Sequence, residues 1–151
     1  MIGSMLAICA VVAVIRHQVN RRKFSQIRHI ATYAIHDIRK VRVYKKEWYI
    51  AKSIISKSGG NQNDVLLQEQ RLESALSALE DDFYQIDILL KNHRFSWTTL
   101  VLNLKNAWLD IKLNLDGVDE SLSLHALNER FELQYNTILN ALRDVEHSVN
   151  F

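Results

Sequence analysis

Five cations lie close together in the first third of the chain: Arg39, Arg42, Lys45, Lys46 and Lys52. Their spacings of three, four and seven bring them to one side of a helix if the segment is helical. Convergent Arg and Lys are the side chains that suit oxyanions, the guanidinium through a bidentate fork and the ammonium as a point charge. The same cluster can instead answer an acidic neighbour. If the first helix turns back near Gly60, residues 39–42 come level with about 78–81, which makes Glu80, Asp81 and Asp82 natural partners. The residues support both readings: a small-anion or partner-contact site, and a salt-bridged seam.

Other chemistry is sparse. His29 and His36 are seven apart on one face, too distant to share a metal, with no Cys or carboxylate between them at ligand spacing. The run "KLNLDGVDES" at 112–121 places Gly117 where a calcium loop has its glycine, but Lys112 at position one and Ser123 at position twelve exclude that loop. Glu80, Asp81 and Asp82 are consecutive, so on a helix they point in different directions. No phosphate-binding glycine loop, nucleophile elbow or Cys–His pair is visible. The chain is expected to be no enzyme, to use no cofactor or metal, and to have no nucleic acid partner.

The elements that would position the cluster read as helices. The chain of 151 residues has no proline and four glycines, which suits a few long helices. After residue 26, Ile27, Ile30, Ala34, Ile38, Val41, Tyr44, Trp48, Ala51 and Ile55 recur in steps of three or four. "KSGGNQND" at 57–64 supplies glycines for a helix end and Asn61 or Asn63 as the next cap. Val65, Leu72, Leu76, Leu79, Phe83, Ile86 and Leu90 mark a second helix; Ser96 is the expected cap of a third, carrying Trp97, Val101, Leu104, Trp108, Ile111 and Leu115. Leu124, Leu127, Phe131, Tyr135, Ile138, Leu142, Val145 and Val149 form a heptad seam in a fourth. The expectation is an all-α chain: an antiparallel four-helix bundle at 29–151, with helices about 24–57, 62–92, 96–115 and 121–150.

The amino terminus reads differently. Residues 1–15 carry no charged side chain, and Arg16, His17, Arg21, Arg22, Lys23 and Arg28 follow directly. A secretory signal carries its positive charge before the apolar run, with a small-x-small site after it; here the order is reversed and no such site is present. The lone Cys9 follows Ile8, too large for a lipoprotein box. A retained membrane anchor at 1–15 fits better, with 16–28 as a basic segment meeting membrane lipid through Arg16, Arg21, Arg22, Lys23 and Arg28. Fifteen residues are short for a span, so snorkelling of Arg16 or a start upstream of Met1 is part of this reading. Basic residues on the far side of the span place residues 16–151 in the cytoplasm, as a single-pass membrane protein. Residues 1–57 hold twelve Lys or Arg against two acids, and 58–151 hold seven against fifteen. Such opposite blocks attract one another across neighbouring helices.

Three stretches resemble the bacterial nitrate- and nitrite-sensing helical domain family: "IHDIRKVRVYKKEWYIAKSIISKSGG" at 35–60, "LLQEQRLESALSALEDDF" at 66–83, and "AWLDIKLNLDGVDESLSLHALNERFELQYNTILNALRDV" at 107–145. The resemblance implies an all-helical signal-input module, and some members bind nitrate or nitrite through arginines. The family signature in the first helix is a Gln, a Glu or His, an Arg, a Gly and, two further on, a Ser. Here "KKEWYIA" stands at 45–51, with Trp48 and Tyr49 about where the Arg and Gly would be. Large aromatics there would fill the space a small anion needs. The expected function is therefore a membrane-anchored sensory-type module that binds a ligand, a protein partner or a second copy of itself, without binding nitrate. A structural subunit of a membrane-associated complex is the alternative.

Overall fold

The computed structural model describes residues 2–90, 96–117 and 122–147, with side chains from Arg21 onward. Four helices account for nearly all of it: α1 at Ile2–Ser58, α2 at Gln62–Leu89, α3 at Trp97–Leu115 and α4 at Leu124–His147. No strand occurs among the described residues. The first helix starts far ahead of residue 24 and runs without interruption into the bundle. The expected ends at 91–92, 121 and 148–150, with Val149, lie outside the described residues, as do Met1 and the side chains of 2–20, Arg16 included.

The turns follow their residues. Gly59 closes α1 at φ +66°, where its N–H reaches the carbonyl of Ile55, and any side chain would be strained there. Asn61 then caps α2 by accepting from the Asn63 N–H at 2.9 Å. At α4 the cap falls to Ser123, whose hydroxyl accepts from the Ala126 N–H at 3.2 Å.

The helices pack in a ring, each against the next and α4 against α1, with no backbone approach across the diagonals. Cross-contacts show that neighbours are antiparallel. Trp48 meets Glu69 close to the α1–α2 turn, whereas Asp37 meets Asp82 further from it. Tyr49 meets Asn128 and Thr32 meets Glu146 along α1 and α4. Buried side chains from all four helices form one core, in which Ile38, Val41, Trp48, Leu76, Phe83, Trp108, Ile111, Phe131, Tyr135, Ile138 and Leu142 are all closed to solvent. Each such aliphatic or aromatic side chain contributes about 1.5–3 kcal/mol. Leu115 is the exception to the expected stripes: it sits at the last turn of α3 and is exposed.

Among the residues whose side chains are described, from Arg21 onward, no helix is long and apolar enough to cross a membrane. The uncharged stretch at 2–15 is helical backbone at the start of α1.

Candidate functional site

The seam of α1 runs Ile27, Ala31, Ala34, Ile38, Val41, Lys45 and Trp48, in strictly alternating steps of four and three, and every one of these side chains is buried. Lys45 therefore occupies a core position. It is the single buried charged residue among the described residues, at 7% exposure. Lys52, the next seam position, is partly exposed, its ammonium 5.5 Å from the ring centre of Trp48.

Trp48 is the centre around which the cluster is arranged. Its indole N–H donates to Glu69 of α2 at 3.0 Å, and the other oxygen of Glu69 meets Lys112 of α3 at 3.3 Å. Its ring stands edge-on to Trp108 at 4.8 Å and to Tyr49 at 5.2 Å. Two tryptophans thus span the diagonal between α1 and α3 that the backbones leave open. Tyr49 points the other way, donating its hydroxyl to Asn128 of α4 at 2.9 Å; burial pushes its phenol above the ordinary value despite that bond.

The five cations divide. Arg42, Lys45 and Lys46 line a groove of about 460 Å³ between α1 and α4, with Val43, Tyr49, Ile50 and Glu132. Lys52 is drawn to the other end, where it pairs with Asp116 after α3. Arg39 is exposed and makes no ion pair among the described residues. Arg42 does not pair with the acids of α2 as the sequence suggests. Its guanidinium meets Glu132 of α4 at 3.3 Å and lies 5.1 Å from the ring centre of Tyr135. Of the three acids at 80–82, Glu80 pairs with Lys105 of α3 and Asp82 faces Asp37 of α1. The levels along α1 and α2 match the expectation, but the flank does not: Arg42 projects from the side of α1 that faces α4.

Lys45 has the most unusual surroundings. Its ammonium lies 4.1 Å from the ring centre of Phe131 and 5.6 Å from that of Tyr49. No carboxylate or other acceptor lies within hydrogen-bond or ion-pair distance of it among the described residues. Burial pulls its pKa below the usual lysine range, Glu132 pulls the other way, and Arg42 adds to the lowering.

One acid on α2, Asp87, is not singled out by the sequence. Asp87 receives the Trp97 and Thr98 N–H groups at 2.8 and 3.0 Å, with the hydroxyls of Thr98 and Ser96 at 2.6 and 2.9 Å. Ser96 occupies the cap position of α3 but makes no cap bond of its own, so Asp87 caps the helix from outside it. Asp82 has the opposite environment, facing the carboxylate of Asp37. Among the described residues no group of three or more His, Cys, Asp or Glu side chains is placed to hold a metal ion, and His29 and His36 are both exposed, His29 edge-on to Tyr33. The basic residues Arg21, Arg22, Lys23 and Arg28 are exposed along α1. Comparison with protein-family models, with curated proteins and with solved structures finds no match for this chain.

Proposed function

We propose that the chain is a membrane-anchored, non-catalytic helical module of the sensory type, acting by ligand or protein binding on the cytoplasmic side of a bacterial inner membrane. The observation that supports this most is the continuity of α1. One helix connects the uncharged amino-terminal stretch, the exposed Arg21, Arg22, Lys23 and Arg28, and the aromatic centre at Trp48. No proline or glycine lies between residues 4 and 58, so a displacement at one end is carried to the other. A helix of fourteen residues at 2–15 spans roughly 21 Å against a hydrocarbon core of about 30 Å. Local thinning of the bilayer takes up the mismatch. Each basic residue beyond it adds about 1 kcal/mol of attraction to anionic lipid. The resemblance to nitrate- and nitrite-sensing domains favours a signal-input role, and the filling of the bundle centre by Trp48 argues against nitrate as the signal.

A reporter fused after Phe151 tests the topology. It should be active in the cytoplasm and silent in the periplasm, with the chain resisting extraction from membranes at alkaline pH. A chain that washes off, or the reverse reporter pattern, would reject this reading.

The structural-subunit reading has one observation in its favour. Val43 and Ile50 of α1, and Leu102 and Leu109 of α3, are exposed at seven-residue spacing. Apolar stripes of this kind mark helix-docking faces. Crosslinking in intact membranes separates the two: a subunit gives one stoichiometric partner whatever solutes are present, and a sensory module changes its crosslinks with its ligand.

A further inference from the structure

We propose that the groove between α1 and α4 at Lys45 binds an amphipathic organic anion, a carboxylate or like group carried on a compact aryl or short alkyl body. Lys45 is 7% exposed, its ammonium keeps contact with solvent, and no carboxylate lies within ion-pair distance of it among the described residues. The rings of Phe131 and Tyr49 offset part of the cost of its burial by cation–π attraction, but they neutralise nothing. Lys45 lines an open groove, so an anion arriving from solution can reach it.

The surrounding charges favour an anion. Glu132 pairs with Arg42 and acts on Lys45 at longer range, so the three cations of the groove outnumber its one acid. The walls decide what else the ligand carries. Val43 and Ile50 expose 55% and 45% of their surface, and Tyr49 adds the side of its ring. A hydrated inorganic ion gains nothing from such walls, whereas an apolar body buries area against them. Distance along α1 selects the source. Thirty residues separate the end of the uncharged stretch from Lys45, roughly 45 Å of helix, which puts the groove beyond the reach of a headgroup in the bilayer. The ligand is a free solute. The inference deepens the proposed binding role and rests on it; the anchor enters only in the choice of a free solute over a headgroup.

The test uses the full chain in nanodiscs of zwitterionic lipid, labelled at the lysine ε-carbons, titrated with sodium benzoate by calorimetry and NMR. Benzoate should bind saturably and shift the Lys45 resonance. Benzyl alcohol, which has the body without the charge, and sodium nitrate, which has the charge without the body, should do neither. Lys45→Met keeps an apolar stem and should fold with a melting temperature at or above that of the parent, while its benzoate affinity falls by about tenfold or more. Ile50→Asp, a change at an exposed position, provides a second variant and should weaken benzoate by a similar factor. No saturable binding, equal binding of benzyl alcohol, or unchanged affinity in both variants would overturn the proposal. Membrane extraction is scored separately, so a failed titration leaves the anchor reading standing, and the reverse holds too.

Discussion

Asp82 and Asp87 stand five residues apart on α2, and the bundle treats them in opposite ways. Asp87 sits at the α2–α3 joint, where two backbone N–H groups and two hydroxyls converge on its carboxylate. Burial pushes it upward, but those four bonds outweigh burial and hold its pKa at about 2. Asp82 sits on the α1–α2 seam, where burial raises it first, and the facing Asp37 and neighbouring Asp81 raise it further, to about 7. One of its oxygens, Oδ2, is buried with no hydrogen-bond partner among the described residues. Lys40, a cation on that seam, lies 3.7 Å from Asp37 instead. Depth alone does not set the cost of a carboxylate: the donors that meet it do. One joint is locked by charge, and the other relaxes when a proton arrives.

The largest test removes the residue that separates the two regions. Phe83 is fully buried one position after Asp82, and its ring stands edge-on to Trp97 at 5.3 Å, the residue whose N–H Asp87 holds. Phe83→Ala should cost about 3–5 kcal/mol in urea unfolding. It should also bring the Asp82 pKa down, because water entering the cavity solvates the charged form. A loss below about 1 kcal/mol would mean that the ring is not part of one packed core.

Asp87→Ala comes next, at about 2–3 kcal/mol near neutral pH, since it leaves two N–H groups and the Thr98 hydroxyl without their acceptor. Asp87→Asn keeps an acceptor and should lose about half as much. The folded pKa of Asp87 lies below its unfolded value, so its contribution is present above about pH 4 and disappears as pH falls toward 2. Asp82 has the opposite sign. Its folded pKa lies above the unfolded value, so stability is full below about pH 4 and declines as pH rises through 7. Asp82→Asn should therefore match the parent near pH 4 and exceed it at pH 8 by about 1–2 kcal/mol, a figure reduced for solvent screening of a half-exposed pair. Together the two acids place a stability maximum near pH 4. Each variant should flatten one limb of that profile and leave the other, and a profile in which both limbs move together would refute the division between joint and seam.

The legible and illegible parts of this chain divide along a physical line. Apolar stripes and glycine-rich turns specify which residues face inward and where the chain reverses, and Ile38, Phe83, Phe131 and Leu142 all lie where the stripes place them. Levels follow from the turns, as the pairing of Trp48 with Glu69 shows. A stripe does not say which neighbour lies on its left, because either ring order buries it equally well. That is why Arg42 was expected to meet α2 and instead meets Glu132 of α4. Lys45 was readable in principle: it falls four after Val41 and three before Trp48, on the seam, and its charge disguised it as surface. Asp87 was not. Its partners follow a break of six residues, 91–96, and no local spacing marks a cap delivered from the preceding helix.

The smallest effect expected is none. Lys45 has no ion-pair partner among the described residues, whereas Asp87 has several donors, which makes Lys45 the place where a small anion would be felt if one bound. Nitrate spreads one charge over three oxygens and needs several convergent donors to replace its water. The groove presents one ammonium aimed inward, because Arg42 is committed to Glu132 and Lys46 is exposed to solvent. The bundle centre, where an arginine and a glycine would leave room, is filled by Trp48 packed on Trp108. Nitrate or nitrite at millimolar concentration should thus leave the melting temperature unchanged, whereas a ligand at a hundredfold its dissociation constant adds about 2.7 kcal/mol. A clear rise with nitrate that Arg42→Ala abolishes would show that Arg42 can release Glu132 for an anion, and would return the chain to the nitrate-sensing role its sequence resembles.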